Sequence, residues 1–381
     1  MPFRVRARAH TTSLFIALLG YIALAVVIDL LTPQSIRLDV YAAVAPLAAA
    51  ALCTFRQTVV LAVVDFLVMV VLSGVVPDDP QAVNRISAIV GNALLAGASV
   101  AVARLLRERD ALLDRLRITG EAAQRALLRQ LPLRSPEVTV DGFYVSAQQD
   151  ALVGGDIYEV VETPYGTRVL IGDVQGKGLR ALGAGAAVLT AFREAAYYRP
   201  RLVDAVSAME QGLRRYARSS TRRGATASDA QGGPEDQERF VTALVLAVPG
   251  GETVAEGPVV PVTLVDCGHL IPYLIESDGR VSELEPAEPG LPLGLGELVD
   301  RPRTVQHLAL PADARVFTCT DGVTEARAPD GTFYPLAERL GGWAALSTPE
   351  LLDRLRADLD VHTRGRLQDD AAVLVVERTR R

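Results

Sequence analysis

TRVLIGDVQGKGLRALGAGAAVLTAFREAAYY, residues 167–198, reads as a buried strand, a glycine-rich turn and an alanine-rich helix. Asp173 stands where the strand ends. The glycines after it let backbone approach a ligand closely, and the helix start that follows mildly favours anions. Three more acidic motifs lie in the same half of the chain: VGGDIYE at 153–159, CTDGVTEAR at 319–327 and QDDAAVLVV at 368–376. In the first two, as in IGDVQGKG at 171–178, an Asp closes or follows an apolar run beside glycine. In the last the acids lead into such a run. A sheet would present these strand ends to one shared point. Taken singly, each Asp reads as a turn residue capping local backbone. All four in this order favour a common centre, and like charges brought together need cations. Carboxylates without His or Cys suit Mg²⁺ or Mn²⁺, and two such ions can activate water against a phosphate ester.

Around this segment lie further short β-like runs: VTVDGFYVSA, IYEVVET, FVTALVLAVP, PVTLVDCGH, PYLIES, ARVFTCTDG and AAVLVVER. Helices are predicted at 179–198, 201–217 and 349–360. Strands outnumber helices and do not alternate with them, which favours an α+β layered domain over a doubly wound parallel sheet. Residues 218–238 hold almost no apolar side chains and are expected to form a disordered surface loop.

The first hundred residues differ in kind. The chain is 49% hydrophobic with a mean hydropathy of +0.22, and the apolar excess is concentrated there. Four stretches, 13–31, 39–55, 57–76 and 86–106, approach the ~20 residues needed to cross a bilayer. The second, Ala-rich and containing Pro46, is the weakest. Arg4, Arg6 and Arg8 precede the first, Arg56 separates the second and third, and Arg104, Arg107 and Arg109 follow the fourth. The positive-inside rule then places both termini in the cytoplasm, which an even number of spans permits. A cleaved signal peptide at 1–30 is disfavoured by the three apolar stretches that follow. Asp65, midway along an apolar run, reads either as a packing residue or as part of a sensor. Cys53, Cys267 and Cys319 are too scattered for a metal site, and no disulfide is expected. The net charge of −6 argues against nucleic acid as a partner.

Residues 104–131 read as a helix. Leu106, Leu113, Leu116 and Leu127 lie near heptad positions, but Arg109 and Gly120 share the stripe. Two readings stand: an amphipathic helix lying on the next domain, or a dimeric signalling helix with a soft point at Gly120. Pro132 and Pro136 mark the boundary. GGDIYE shares only three letters with the GGDEF signature of diguanylate cyclases, and GDVQGKG lacks the spacing of a phosphate-binding loop. His269, in DCGHL, reads as structural rather than catalytic.

Residues 136–378 resemble the bacterial SpoIIE/RsbU branch of the PP2C (PPM) serine/threonine phosphatases. VGGDIYE resembles that family's VGGDxYD, and IGDVQGKG its GDVxGKG. DCGHLIPYLI with LPLGLG resembles NAGHxPPxL with PLG, while TDGVTEAR and QDDAAVLVV match its TDGxxE and DD motifs. Glu159 stands where the family often has Asp, and Asp266-Cys267 replace Asn-Ala. The resemblance implies two packed antiparallel sheets flanked by helices, and two divalent cations, Mn²⁺ or Mg²⁺. It implies that Asp156 and Asp173 act through a water bridging the two ions. The ligand set would be Asp156, Asp173, the Val174 carbonyl, Asp321 and Asp369, with Asp370 beside them. It further implies a phosphorylated STAS-type anti-sigma-factor antagonist as substrate. The expected organisation is a membrane domain (1–106) with four transmembrane helices, a helical signalling linker (104–135), within which residues 104–131 would pair two chains in a homodimer, and a phosphatase domain (136–378). The competing classes are a non-catalytic membrane scaffold built on a degenerate phosphatase fold, and a transporter. Four intact acidic motifs count against the first, and the lack of a polar pore row against the second.

Overall fold

A computed structural model of the protein describes residues 2–31, 43–75, 82–147, 154–176, 178–224, 240–251, 257–298 and 302–379. The chain divides into two compact units, Met1–Arg115 and Leu116–Arg381.

The first unit holds α1 (Pro2–Leu31), α2 (Val44–Leu52), α3 (Phe55–Val75) and the first part of α4 (Ala82–Leu127). Among the described residues three segments are long and apolar enough to cross a membrane: Thr11–Leu31, Phe55–Leu72 and Ile86–Leu113. Four were expected. The described part of the second stretch is α2, which has nine residues. At ~1.5 Å per residue it covers about half of a ~30 Å hydrocarbon core. Its backbone turns extended at Cys53. Thr54, whose N–H bonds to Gln57 Oε1 at 3.0 Å, then starts α3. Ala45 and Ala49 of α2 pack with Ile22 of α1 and Leu61 of α3, the small side chains letting the helices approach closely. Leu24, Leu30, Leu31, Leu67, Val71 and Leu94 point outward. That apolar exterior fits a membrane domain.

In the second unit the strands form two antiparallel sheets. One joins β1 (Leu133–Arg134), β2 (Val138–Val145), β7 (Tyr273–Ile275), β8 (Val281–Glu283), β10 (Arg315–Cys319) and β11 (Ala371–Arg378), in the order β1-β2-β11-β10-β7-β8. The other runs β3 (Asp156–Thr163), β4 (Gly166–Val174), β5 (Val241–Pro249), β6 (Val259–Cys267) and β9 (Gln306–Pro311). Helices α5 (Leu179–Tyr198) and α6 (Leu202–Gly224) cover the second sheet. The short α7 (Asp321–Thr324), α8 (Leu336–Trp343) and α9 (Thr348–Thr363) belong with the first.

Strand periodicity explains the layering. Side chains alternate between faces. Val169 and Ile171 of β4 meet Leu244, Leu246, Ala372, Leu374 and Val376 between the sheets. The alternate residues Leu170, Val174, Ala243 and Val245 pack under α5 and α6. Val373 and Val375 pack against α8 and α9. Both faces are buried, so the central strands read as continuous apolar runs.

The predicted helices are present, with one extension. α6 continues to Gly224, so the first residues of the expected 218–238 loop are helical. The Ser219 and Ser220 hydroxyls bond to the Tyr216 and Ala217 carbonyls, so these polar residues are accommodated within the helix. The rest of that segment, 225–238, lies outside the described residues. α4 ends at Leu127 rather than near 131, and it runs unbroken through Gly120. β1, β8, β9, α7 and α8 have no counterpart among the elements predicted from the sequence.

Within the second unit, the end of α4 is fastened to α5 and β3. Arg193 of α5 donates from Nη2 to the Leu127 carbonyl, and through Nε to the buried carboxylate of Glu159 on β3. Glu159 lies on the helix-facing side of its strand. Arg193→Met leaves a buried carboxylate without its cation. It should lower the unfolding free energy by about 3 kcal/mol, the low end for a broken buried pair, because Arg193 is 41% exposed. Denaturant unfolding of residues 116–381 measures this, and an unchanged midpoint would refute the role given to the pair.

Candidate metal centre

The turn between β3 and β4 sets the first half of the site. The ladder closes at Thr163 opposite Gly166 and runs without a slip to Asp156 opposite Asp173. Gly166 has φ +105°, which a side chain would resist, and the Thr163 hydroxyl bonds to its carbonyl at 2.7 Å. A hairpin turn fixes register, so this turn places two carboxylates on one rung at the far end. By strand alternation both project on the face between the sheets, as Tyr158 and Ile171 do.

The second half comes from β10 and β11. Thr320, just past β10, and Asp370, just before β11, share the parity of the inter-sheet residues Val316 and Ala372. The Thr320 hydroxyl donates to Asp156 Oδ2 at 2.6 Å, and it accepts the Ala372 N–H at 2.9 Å. One hydroxyl thus links the sheets and orients the buried Asp156. Asp370 Oδ1 accepts the Ala147 N–H at 2.8 Å. The Tyr144 and Ser146 hydroxyls also stabilise its carboxylate. Asp321 opens α7, and Asp369 is exposed beside Asp370.

Two glycines make room for these oxygens. A Cβ at Gly154 would stand 1.3 Å from Asp370 Oδ2, and one at Gly155 would stand 2.6 Å from Asp173 Oδ1 and 2.7 Å from the Val174 carbonyl. The GG of VGGDIYE is therefore a steric requirement of the acidic cluster. Gln124, buried near the end of α4, accepts the Gly154 N–H at 3.1 Å and donates to the Asp156 carbonyl at 3.3 Å.

Charge crowding is strong. Burial, then the neighbouring Asp173, pushes the Asp156 carboxyl well above its usual range, and Asp370 and Asp321 add to it. Asp173 is raised to about 6 by burial, then by Asp321, Asp369 and Asp370. The charges of Asp321 and Asp370 thus act on both Asp156 and Asp173. Among the described residues, no group of three or more His, Cys, Asp or Glu side chains is arranged to hold an ion as it stands. The donor set nevertheless fits a hard divalent cation. Asp156, Asp173 and the Val174 carbonyl all offer oxygens, and the repulsion among the carboxylates calls for positive charge.

The model of the Stage II sporulation protein E (SpoIIE) family matches residues 163–379, more than half of the 381 residues. The chain belongs to the SpoIIE family. Among solved structures, the SiaA PP2C domain of Pseudomonas aeruginosa aligns with this SpoIIE-family chain at TM-score 0.52 and 18% identity, covering 72% of this chain and 99% of that one. The RsbU and RsbW domains of a Mycobacterium tuberculosis protein align at TM-score 0.46 and 22% identity, covering 64% of this chain and 60% of that one. The PP2C domain and regulatory fragment of SpoIIE from Bacillus subtilis align at 0.46 and 16%, covering 65% and 66%. No curated protein sequence matches. The SpoIIE-type unit has the PP2C fold.

Other motifs of this SpoIIE-family chain support the site from behind. The Asp266 carboxylate accepts the N–H groups of His269 and Gly290, which ties DCGH to the following PG turn. The ring Nδ1 of His269 lies 3.1 Å from the Thr242 hydroxyl, and Thr242 is the cross-strand partner of Asp173. Burial pushes His269 down to about 4, so it is neutral near pH 7, in keeping with a structural role. Thr320 and Gln124 were missed in the sequence. Thr320 sits inside the quoted CTDG motif. Gln124 is an uncharged polar residue among alanines and leucines near the end of a helix.

The pH dependence follows from Asp173. Its folded value of about 6 exceeds the ordinary 3.8, so the folded state holds the extra proton between these values. Its contribution to stability is complete below pH 4 and is lost as pH rises through 6. The melting temperature of metal-free residues 116–381 should fall by roughly a few degrees from pH 4.5 to 7.5. Saturating Mn²⁺ should remove the fall. A metal-free profile rising over that range would contradict this electrostatic account.

Proposed function

We propose that this protein is a membrane-anchored phosphatase that removes phosphate from phosphoserine or phosphothreonine, with two Mn²⁺ or Mg²⁺ ions held by Asp156, Asp173, the Val174 carbonyl, Asp321 and Asp369. The observation that carries this reading is the rung Asp156–Asp173, beside Asp370 and a backbone kept open by two glycines. When bound, the cations would neutralise the cluster, supply a nucleophilic water and bind the phosphate. The chain's own groups set the geometry. Thr320 commits one oxygen of Asp156. Ala147 commits one oxygen of Asp370, and the Asp370 N–H commits one oxygen of Asp369. Gly155 brings its backbone against Asp173 and Val174.

Family resemblance favours a phosphorylated STAS-type anti-sigma-factor antagonist as substrate, whose dephosphorylation would free a sigma factor from its inhibitor. The linker, 104–135, would carry a signal from the membrane domain, 1–106, to the phosphatase domain, 136–378. Gln124 supports this, because an amide on the linker holds the peptide groups on either side of Gly155. A homodimer through 104–131 would give the linker a partner to turn against.

The deciding experiment follows Mn²⁺-dependent release of phosphate from a phosphoserine peptide and from a phosphorylated STAS-domain protein, by residues 116–381. Asp173→Asn should cost at least ~100-fold, as expected when a reacting group is misplaced. Gln124→Ala should raise the Mn²⁺ concentration needed for half activity while leaving the saturated rate nearly intact. Equal rates for wild type and Asp173→Asn would end the metal assignment. A fold that binds the STAS-domain protein without turning it over would favour the scaffold reading.

We also propose that both termini and the phosphatase domain face the cytoplasm, with the basic residues at Arg56 and at 104–109 on that side. This requires the chain between Leu31 and Phe55 to cross the bilayer. A cysteine introduced at Ser35 should then react with an impermeant maleimide added outside intact cells, and one at Gln57 should not. The opposite pattern would overturn this topology.

A further inference from the structure

The first unit contains a polar pair that the phosphatase reading does not use. Asp65 of α3 and Asn92 of α4 are 1% and 5% exposed, and Asn92 Nδ2 donates to Asp65 Oδ2 at 3.0 Å. The other oxygens, Asp65 Oδ1 and Asn92 Oδ1, are both buried and have no hydrogen-bond partner among the described residues. The other buried polar side chains of this unit are satisfied differently. The Thr58 hydroxyl bonds to the Ala49 carbonyl at 3.0 Å, and the Ser99 hydroxyl to the Leu95 carbonyl at 2.8 Å. Among the described residues of this unit, the unmatched buried acceptors are thus confined to one place.

Asp65 also lines a narrow cleft with Asp29 of α1, and the cleft has room for little more than a water-sized occupant. Its remaining walls are apolar, among them Ala25 of α1 and Val68, Met69 and Leu72 of α3. Asp29 is the other ionisable group lining the cleft. On α4 the facing group is the uncharged Asn92.

Two oxygens that can only accept, buried together in a span, ask for a positive species. A bare carboxylate there is expensive, and an unpartnered buried acceptor adds its own cost. A carboxyl and a carboxamide that share one N–H···O bond need a single proton to form a second bond in the opposite sense. A small hard cation would use the same two oxygens. We propose that Asp65 and Asn92 form an intramembrane site for a small monovalent cation, either a proton or a sodium ion, next to Asp29. The occupant ties α3 to α4, the helix that continues into the second unit.

The test uses the full-length protein in lipid nanodiscs. Thermal unfolding is followed from pH 5.5 to 8.5 in NaCl, KCl or choline chloride at equal ionic strength, for wild type and Asp65→Asn. The substitution replaces the acid with an amide that can pair with Asn92 without a cation. Subtracting the variant removes titration in the phosphatase domain. If a proton is the occupant, the wild-type-minus-variant difference should shift by about 2 °C or more across the pH range, equally in all three salts. If sodium is the occupant, NaCl should raise that difference and KCl and choline should not. A difference independent of both pH and sodium overturns the proposal. Should Asp65→Asn fail to fold, wild type is treated with dicyclohexylcarbodiimide, which modifies protonated carboxyls in apolar surroundings, and the Asp65 peptide is read by mass spectrometry. Labelling that falls with rising pH, or is blocked by sodium alone, supports the site. Unlabelled Asp65, or labelling indifferent to both, rejects it.

Discussion

Asp156 and Asp173 oppose each other on the last rung of a hairpin ladder, at the buried end of the inter-sheet layer. Left alone this is an unfavourable arrangement, since burial and mutual repulsion both act against the charged forms. The surrounding structure over-determines it. The turn at Gly166 fixes the register, β5 flanks β4 from Gly166 to Val174, and Thr320 reaches from the other sheet to hold Asp156. A stability cost concentrated at one end of an otherwise apolar sandwich is what a cation-binding site requires. The apolar layers supply the stability, and the acidic end uses part of it.

The same sandwich explains why the site is assembled from segments so far apart in sequence. Strands β10 and β11 are neighbours in one sheet, and β3 and β4 are neighbours in the other. Antiparallel pairing brings the end of one strand to the beginning of its partner, so Asp173 joins Asp156, and Thr320 joins Asp370. Packing the sheets face to face then superimposes the two ends. Only the residues of inward parity meet directly. Asp321 and Asp369 lie one residue out of that parity, at the rim, where Asp369 is exposed.

Much of this was legible in the sequence because it depends on local pattern. The eight apolar runs became strands, and glycine beside Asp marked the backbone approaches at 154–155. What was not legible depends on apposition. Nothing local distinguishes the two faces of LVLAV or AAVLVV when both are buried. β9 escaped notice because it is an edge strand with alternating exposure, and β8 because it has three residues. The helical start of the 218–238 segment was hidden by its polar composition, which strand and core patterns do not register. The membrane stretch at 39–55 met the length criterion on composition, but its described part breaks at Cys53 into the start of the next helix. Thr320 is one of many threonines until the second sheet places Asp156 above it.

The end of α4 shows how a helix can act on chemistry without contributing a ligand. Three attachments converge there. Gln124 holds Gly154 and Asp156, the Leu127 carbonyl accepts from Arg193, and the Arg129 carbonyl accepts from Tyr158 at 2.9 Å. Each is a backbone or amide contact rather than an exposed ion pair, so it is little affected by salt. Withdrawing Gln124 leaves the Gly154 N–H buried without a partner, a cost of about 1–3 kcal/mol. That is the usual size of a coupling free energy between sites, roughly 5- to 150-fold in affinity. By linkage the effect would be reciprocal: cations that stabilised the Gly154–Asp156 turn would also favour the seated position of the last turn of α4. On the proposed reading, an amide on the connector would suffice to couple linker position to cation occupancy.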